Sequence, residues 1–356
     1  MTQDAVLVRS GAALHMASPD KGPMDQLSAH LDRAWDLVSR GDFAGAMRSA
    51  EKSLEIDPDS PEVHNLMGYI RAQEGHAEEA LEHYERAIEL DESFVEAMLN
   101  AAEVCIHPLQ DWDGAIARIE SALDWIEDPE EQADAMLLKI DALLGKGDRA
   151  GASVVVNALP EGPFESAGIA FSIGRARFET GDPSGAEPWL RRAIEKEPRH
   201  AEAHYYLGLV LQERGDARAA ALSFLHSRHA ELRGGAPAPM VSSDTFERRV
   251  QSAIGRLREN VARVIEGALV IVGDVPGAEV VAEGVDPRIP VLLDDLGGED
   301  EPPRAGRVFV YQRNVERIAA GPMELEEEIA RSITEEVEHV FPEVAGAAPT
   351  DSEIQN

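Results

Sequence analysis

The chain has 356 residues, 44% hydrophobic and 28% charged, the balance of a folded protein with room for two domains. Its formal net charge is -34, from 33 Lys and Arg against 67 Asp and Glu. Nucleic acids and anionic membranes are held by Lys and Arg, so neither is expected as a partner.

The start, "MTQDAVLVRSGAALHMASPDKGP", has a short apolar stretch and no strongly cationic head. It reads as a disordered leader over 1–23 rather than a signal peptide. No apolar run approaches the roughly 20 residues of a membrane span, and the expected compartment is the cytoplasm. The single cysteine, Cys105, excludes an internal disulfide and a cysteine zinc site.

From about Met24 to Leu232 the chain repeats itself. Gly68, Gly75, Ala80 and Tyr84 return as Gly208, Gly215, Ala220 and Phe224, and again as Gly174, Gly181, Ala186 and Leu190. Gly41 and Gly75 stand 34 residues apart, as do Gly147 and Gly181, and Gly181 and Gly215. Each unit predicts two helices that bury their apolar faces only by stacking on neighbours. The small residues allow close helix approach, and the turn glycine accepts the backbone geometry that ends the first helix. "DPDSPE" (57–62) and "EPRHAE" (197–202) break the chain between units. Six units fit, the third irregular because "CIHPLQDWDGA" (105–115) carries Pro108 and no turn glycine at its expected place.

This period, with these residues, resembles the tetratricopeptide repeat. The resemblance implies a mainly α-helical solenoid that binds a protein or peptide in a groove lined by the first helix of each unit. Trp35, Glu62, Asn65, Tyr69, Phe171, Arg175, Tyr205 and Gln212 are the expected groove residues, with packing between repeats as the competing role for each. Some family members clamp a peptide carboxylate with Lys, Arg and Asn; apart from Arg175, the inner positions here are acidic or neutral. His200 and His204 share a helix face at a spacing that permits a two-point metal site, although His204 fills a position usually given to a packed aromatic. His226 and His229 make a weaker pair.

"RGGAPAPMVSSD" reads as a linker over 233–243. Beyond it, Phe246, Val250, Ile254, Leu257, Val261 and Val264 or Ile265 predict one amphipathic helix over 245–267, ended by Gly267. "ALVIV" (268–272), "IPVLL" (289–293) and "RVFVYQ" (307–312) predict strands. An acidic, Gly- and Pro-rich loop separates the last two. A final helix is predicted from about Met323 to Phe341, stopped by Pro342, its buried stripe made of Leu325, Ile329, Ile333, Val337 and Val340. Together these give a small α+β domain over 244–345, followed by a disordered tail over 346–356.

The wording "VFVYQRNVERIA…ELEEEIARSITEEVEHVF" resembles a family of small bacterial zincin-like metallopeptidases, in which a strand and an arginine-bearing loop lead into a His-Glu-x-x-His-x-x-Gly-x-x-Asp helix. Arg313 and Arg317 sit in the corresponding loop. The resemblance places the first zinc ligand on Glu335, the general base on Glu336, the second ligand on His339, the motif glycine on Pro342 and the third ligand on Ala345. Two of three ligands depart. A catalytic zinc needs three protein ligands and an open position for water, and a carboxylate at Glu335 would make the metal a poorer acid. Glu343 or Glu328 could in principle supply another oxygen, and on a plainly solvated face Arg331 would pair with Glu335. The resulting expectation is a repeat scaffold carrying an inactive zincin-like domain in an adaptor or regulatory role, with no cofactor. The alternative is a zinc-dependent peptidase using Glu336, His339 and Glu335, whose repeats recruit the substrate.

Overall fold

The computed structural model describes residues 23–234, 238–295 and 303–345. The expected leader (apart from its last residue), the tail and part of the acidic loop lie outside the described residues. Packing divides the chain into two compact units with the boundary between Pro198 and Arg199.

The first unit is a series of helix pairs: α1 (Pro23–Ser39) with α2 (Phe43–Ile56), α3 (Pro61–Gln73) with α4 (Ala77–Leu90), α5 (Val95–Ile106) with α6 (Trp112–Leu123), α7 (Pro129–Gly145) with α8 (Arg149–Asn157), and α9 (Ala167–Glu179) with α10 (Pro183–Lys196). Two local devices recur in these pairs, although α4 starts at His76 with no side-chain cap. Gly41, Gly75, Gly147 and Gly181 end their helices at positive φ, where a Cβ would be strained. Asp42, Asp111, Asp148 and Asp182 then cap the second helix by accepting from the backbone N–H three residues on. In the third pair Gln110 takes the left-handed turn position at φ 55, so an ordinary side chain stands where the other turns use glycine.

Close approach explains the second glycine of the repeat. A Cβ on Gly68 would lie 2.7 Å from the Tyr84 ring, and one on Gly174 would lie 2.8 Å from Leu190. Tyr84 and Leu190 are fully buried, so neither has room to retreat. Successive pairs share cores: Cys105, Ile106, Ile119 and Ala142 fill one, and Ile140, Ile173 and Val156 another.

The second unit begins with a sixth repeat-like pair, α11 (Ala201–Glu213) and α12 (Ala217–Arg233). Gly208 again lies under a buried aromatic, Phe224, and Asp216 caps α12. Then come α13 (Ser243–Ile254), α14 (Glu259–Val264), β1 (Leu269–Gly273), α15 (Ala278–Ala282), β2 (Val291–Asp295), β3 (Ala305–Tyr311), α16 (Gln312–Ile318), α17 (Leu325–Val340) and α18 (Pro342–Ala345). The sheet order is β1-β3-β2, with β1 parallel and β2 antiparallel to β3. Phe246, Val250, Val261, Val308, Val310, Leu325, Ile329, Ile333 and Val337 share one core between the helices and the sheet.

The single helix expected over 245–267 is two helices. The chain breaks at Gly255–Arg258, and α14 restarts at Glu259. Phe246 and Val250 on one side and Val261 and Val264 on the other thereby reach the same core. Pro342 ends α17 and opens α18, a first-turn position where its missing N–H costs nothing.

Candidate functional site

In the first unit, the expected groove residues on α1 and α3 fall into two classes. Tyr69 stays partly exposed, its ring 5.4 Å from that of Trp35. Glu62 is exposed at the start of α3 and accepts the Ser60 hydroxyl at 2.8 Å. Asn65, by contrast, is 2% exposed. Its amide donates to Glu96 at 3.0 Å and its carbonyl accepts from Asn100 at 3.0 Å, tying α3 to α5. Asn65 is thus a buried link between repeats, and the side chains it orders on α5 reach solvent instead.

Those α5 side chains add carboxylates to the face. Burial raises the Glu96 carboxyl, against the lowering effect of its bond from Asn65. Glu103 reaches solvent, yet the surrounding protein desolvates it enough to raise its pKa too. Tyr69 is raised by burial and then by the field of Glu103, so the two lie near each other. On α7, Asp134 is pushed up to about 6 by burial and by Glu130 and Glu131. Asp141 on the same helix receives Arg175 of α9 at 2.7 and 2.9 Å. Phe171, one turn before Arg175, is partly exposed. None of Glu96, Glu103 and Asp134 stood among the expected groove residues, although a 34-residue step from Glu62 lands on Glu96 and one from Tyr69 lands on Glu103.

The expected groove residues of α11 belong to the second unit. Gln212 is exposed. Tyr205 is already engaged: its hydroxyl donates to Asp286 at 3.0 Å, and the Arg288 guanidinium lies 3.8 Å over its ring. Arg288 also donates through Nη1 to Glu202 at 2.9 Å and through Nη2 to Glu231 at 2.7 Å. Arg317 joins at Glu231 at 3.0 Å, and Arg228 of α12 donates to the Pro276 carbonyl at 2.7 Å. Burial works against both charges of the Arg288–Glu202 pair, but their bonds and mutual field prevail, raising Arg288 and lowering Glu202. The histidine pair resolves into structural roles: His200 Nδ1 accepts from the Ala203 N–H at 3.2 Å as a helix cap, and His204 packs edge-on against His226 at 5.0 Å.

On α17, Glu335 and His339 are exposed and Glu336 is half-buried. Burial raises the Glu336 carboxyl, against a hydrogen bond from the backbone of Leu293 on β2 and the charge of His339. Glu328 and Ser332 are buried, not solvated, and Arg331 pairs with Glu328 rather than with Glu335. The Arg313 guanidinium lies 3.9 Å from the Asp274 carboxylate and that of Arg317 reaches Glu231, so both arginines pair away from Glu336. Among the described residues, no three His, Cys, Asp or Glu side chains come together as a group that could hold a metal ion. Nor is any helix among them long and apolar enough to cross a membrane.

Models of the tetratricopeptide repeat match residues 61–94 and 171–227. The chain therefore carries tetratricopeptide repeats. Comparison with curated proteins gave no match. Among solved structures, pilF of Pseudomonas aeruginosa aligns with a TM-score of 0.52 at 18% identity, covering 61% of this chain and 96% of that one. PilW, described as a widely conserved type IV pilus biogenesis factor, aligns with a TM-score of 0.48 at 16% identity, over 59% of this chain and 94% of that one. YrrB, described as a TPR protein with an unusual peptide-binding site, gives 0.41 at 19% identity, over 52% and 93%. At these identities the likeness to pilF shows the repeat fold alone.

Proposed function

We propose that this chain is a protein-binding adaptor whose repeats present the solvent-reachable faces of their first helices to a segment of a partner protein. The observation that carries the reading is the repeated placement of Glu62, Tyr69, Glu103 and Phe171 on those helices. They remain reachable while the neighbouring positions are consumed by packing. A repeat scaffold of this kind works through the extended surface its stacked units hold in register.

Affinity capture from a lysate with the full chain tests it. Tyr69→Ala with Phe171→Ala should release the captured protein, whereas Glu335→Ala with His339→Ala should not. The opposite pattern would place binding on α17 and sink the scaffold reading. The peptidase alternative rests on Glu335, Glu336 and His339, three side chains of which two face solvent and which do not converge on a metal-sized site. The adaptor role requires nothing of them.

A further inference from the structure

The second helix pair carries two histidines that the repeat frame does not require. His64 on α3 and His83 on α4 are nineteen residues apart in the chain, yet their Nδ1 atoms lie 3.5 Å apart and their ring centres 5.7 Å apart. The two nitrogens are therefore the near edges of the rings, and both face one gap. We propose that His64 and His83 form a two-point site that takes a divalent transition cation of the zinc type from solution and braces α3 against α4.

The spacing is the first argument. Zinc holds an imidazole nitrogen at about 2.0–2.1 Å. An ion at that distance from both Nδ1 atoms, at their separation of 3.5 Å, would see them at an angle of about 117°. Closing the gap by about 0.2 Å brings the angle to the tetrahedral value that zinc prefers. A direct hydrogen bond between the rings is served less well, because an N–H donor ordinarily approaches its acceptor to about 2.9–3.0 Å.

The surroundings are the second. Both rings are half-buried, and burial lowers both below the ordinary histidine range, so they stay neutral at physiological pH and keep lone pairs for a metal. Around them Arg71 pairs with Glu74 and Glu79, and Arg86 with Asp59 and Glu89. Two arginines against four carboxylates leave this patch with an excess of two negative charges, the complement of a dication. Those carboxylates are engaged by the arginines, so water completes the coordination shell. Two protein ligands are fewer than catalytic or structural zinc sites use, so the ion is held loosely, exchanges with solution and is lost in purification. While bound it favours the folded pair, because the unfolded chain does not hold the two rings together.

The test is a zinc chloride titration of the full chain, isotope-labelled at histidine and held at neutral pH, read by long-range proton–nitrogen NMR of the imidazoles. His64→Gln and His83→Gln assign the two rings and remove one ligand each, and melting curves check that both variants are folded. In the native chain the Nδ1 signals of His64 and His83 should shift together along one binding curve, ahead of the other histidines. Either variant should weaken zinc binding at the ring that remains by at least about tenfold. His76→Gln, which removes an exposed imidazole beside the start of α4, should leave it unchanged. Separate curves for the two rings, shifts no earlier than those of the other histidines, or an equal loss in His76→Gln would overturn the site. So would a proton that stays between the two Nδ1 atoms at saturating zinc, the mark of a plain hydrogen bond between the rings.

Discussion

Removing the Arg288 side chain should destabilise the second unit more than any exposed ion pair does. Arg288→Ala deletes four charge-assisted hydrogen bonds, two to Glu202 and two to Glu231, and the stack on Tyr205. It leaves Glu231 at 20% and Glu202 at 37% side-chain exposure facing a void. Truncating one partner of a buried pair costs about 3–5 kcal/mol. Glu202 is open enough for water to screen it, which lowers the expectation to about 2–3 kcal/mol. For a unit of this size that corresponds to roughly 5–10 °C in midpoint. Arg288→Lys should fall between, since the charge survives but the fork and stack do not. The sign with pH follows from Glu202, whose folded pKa is depressed. Its contribution is complete above the ordinary carboxylate pKa and disappears as pH falls through the folded one. The gap between native and Arg288→Ala chains should therefore close in acid. Calorimetric scans of the full chain from neutral pH downward measure this, with Arg263→Ala as control, because the Arg263–Glu259 pair is exposed at 62% and 53%. If Arg288→Ala and Arg263→Ala shift the midpoint equally at neutral pH, Arg288 does not hold these elements together.

Gly68→Ala should cost about 1–3 kcal/mol, because its Cβ would overlap the buried Tyr84 ring, and denaturant titration will show it as a lower midpoint. Gln110→Gly should instead stabilise the first unit by about 0.5–1 kcal/mol, since Gln110 pays for a left-handed φ that glycine adopts freely; an unchanged or lower midpoint would count against this. Asp134→Asn should stabilise at neutral pH by on the order of 1 kcal/mol and lose that advantage in acid. With its pKa pushed up to about 6, the folded state prefers Asp134 protonated, and that preference is fully present below the ordinary aspartate pKa and gone above about 6. Elemental analysis of the purified chain should find far less than one zinc per chain, and Glu336→Ala should leave partner capture unchanged; about one zinc lost with His339→Ala would promote the peptidase.

The repeat frame was legible because it is written in residues whose physics is local. A turn glycine and a glycine beneath an aromatic each do one job, and Gly75, Gly68 and Tyr84 announce all of it at fixed spacing. The broken helix around Gly255 was not legible, since Phe246 through Val264 keep a helical period across the break and only the shared core demands the bend. The short α15 and α16 were missed for a related reason: five and seven residues carry too little periodicity to register. On α17 the stripe of Leu325, Ile329, Ile333 and Val337 was plain, but the burial of Glu328 depends on what packs from outside the helix.

Of the expected groove residues, Glu62, Tyr69, Phe171 and Gln212 are partly or fully exposed and Asn65 is buried. Period alone marks Asn65 and Tyr69 as sharing a face, but it cannot say that Asn65 spends its amide on Glu96 and Asn100 while Tyr69 stays reachable. Nor can it say that Tyr205 lies beneath Arg288, a residue more than eighty positions away. What decides availability is the pairing of charge. Asp141 and Glu202 have their arginines from within the chain, and Glu103 has none among the described residues. In a protein carrying 67 acidic and 33 basic residues, most carboxylates must go without a partner, and nearly all do so cheaply in open water. Glu96 and Glu103 do so where desolvation by the surrounding protein raises their carboxyls.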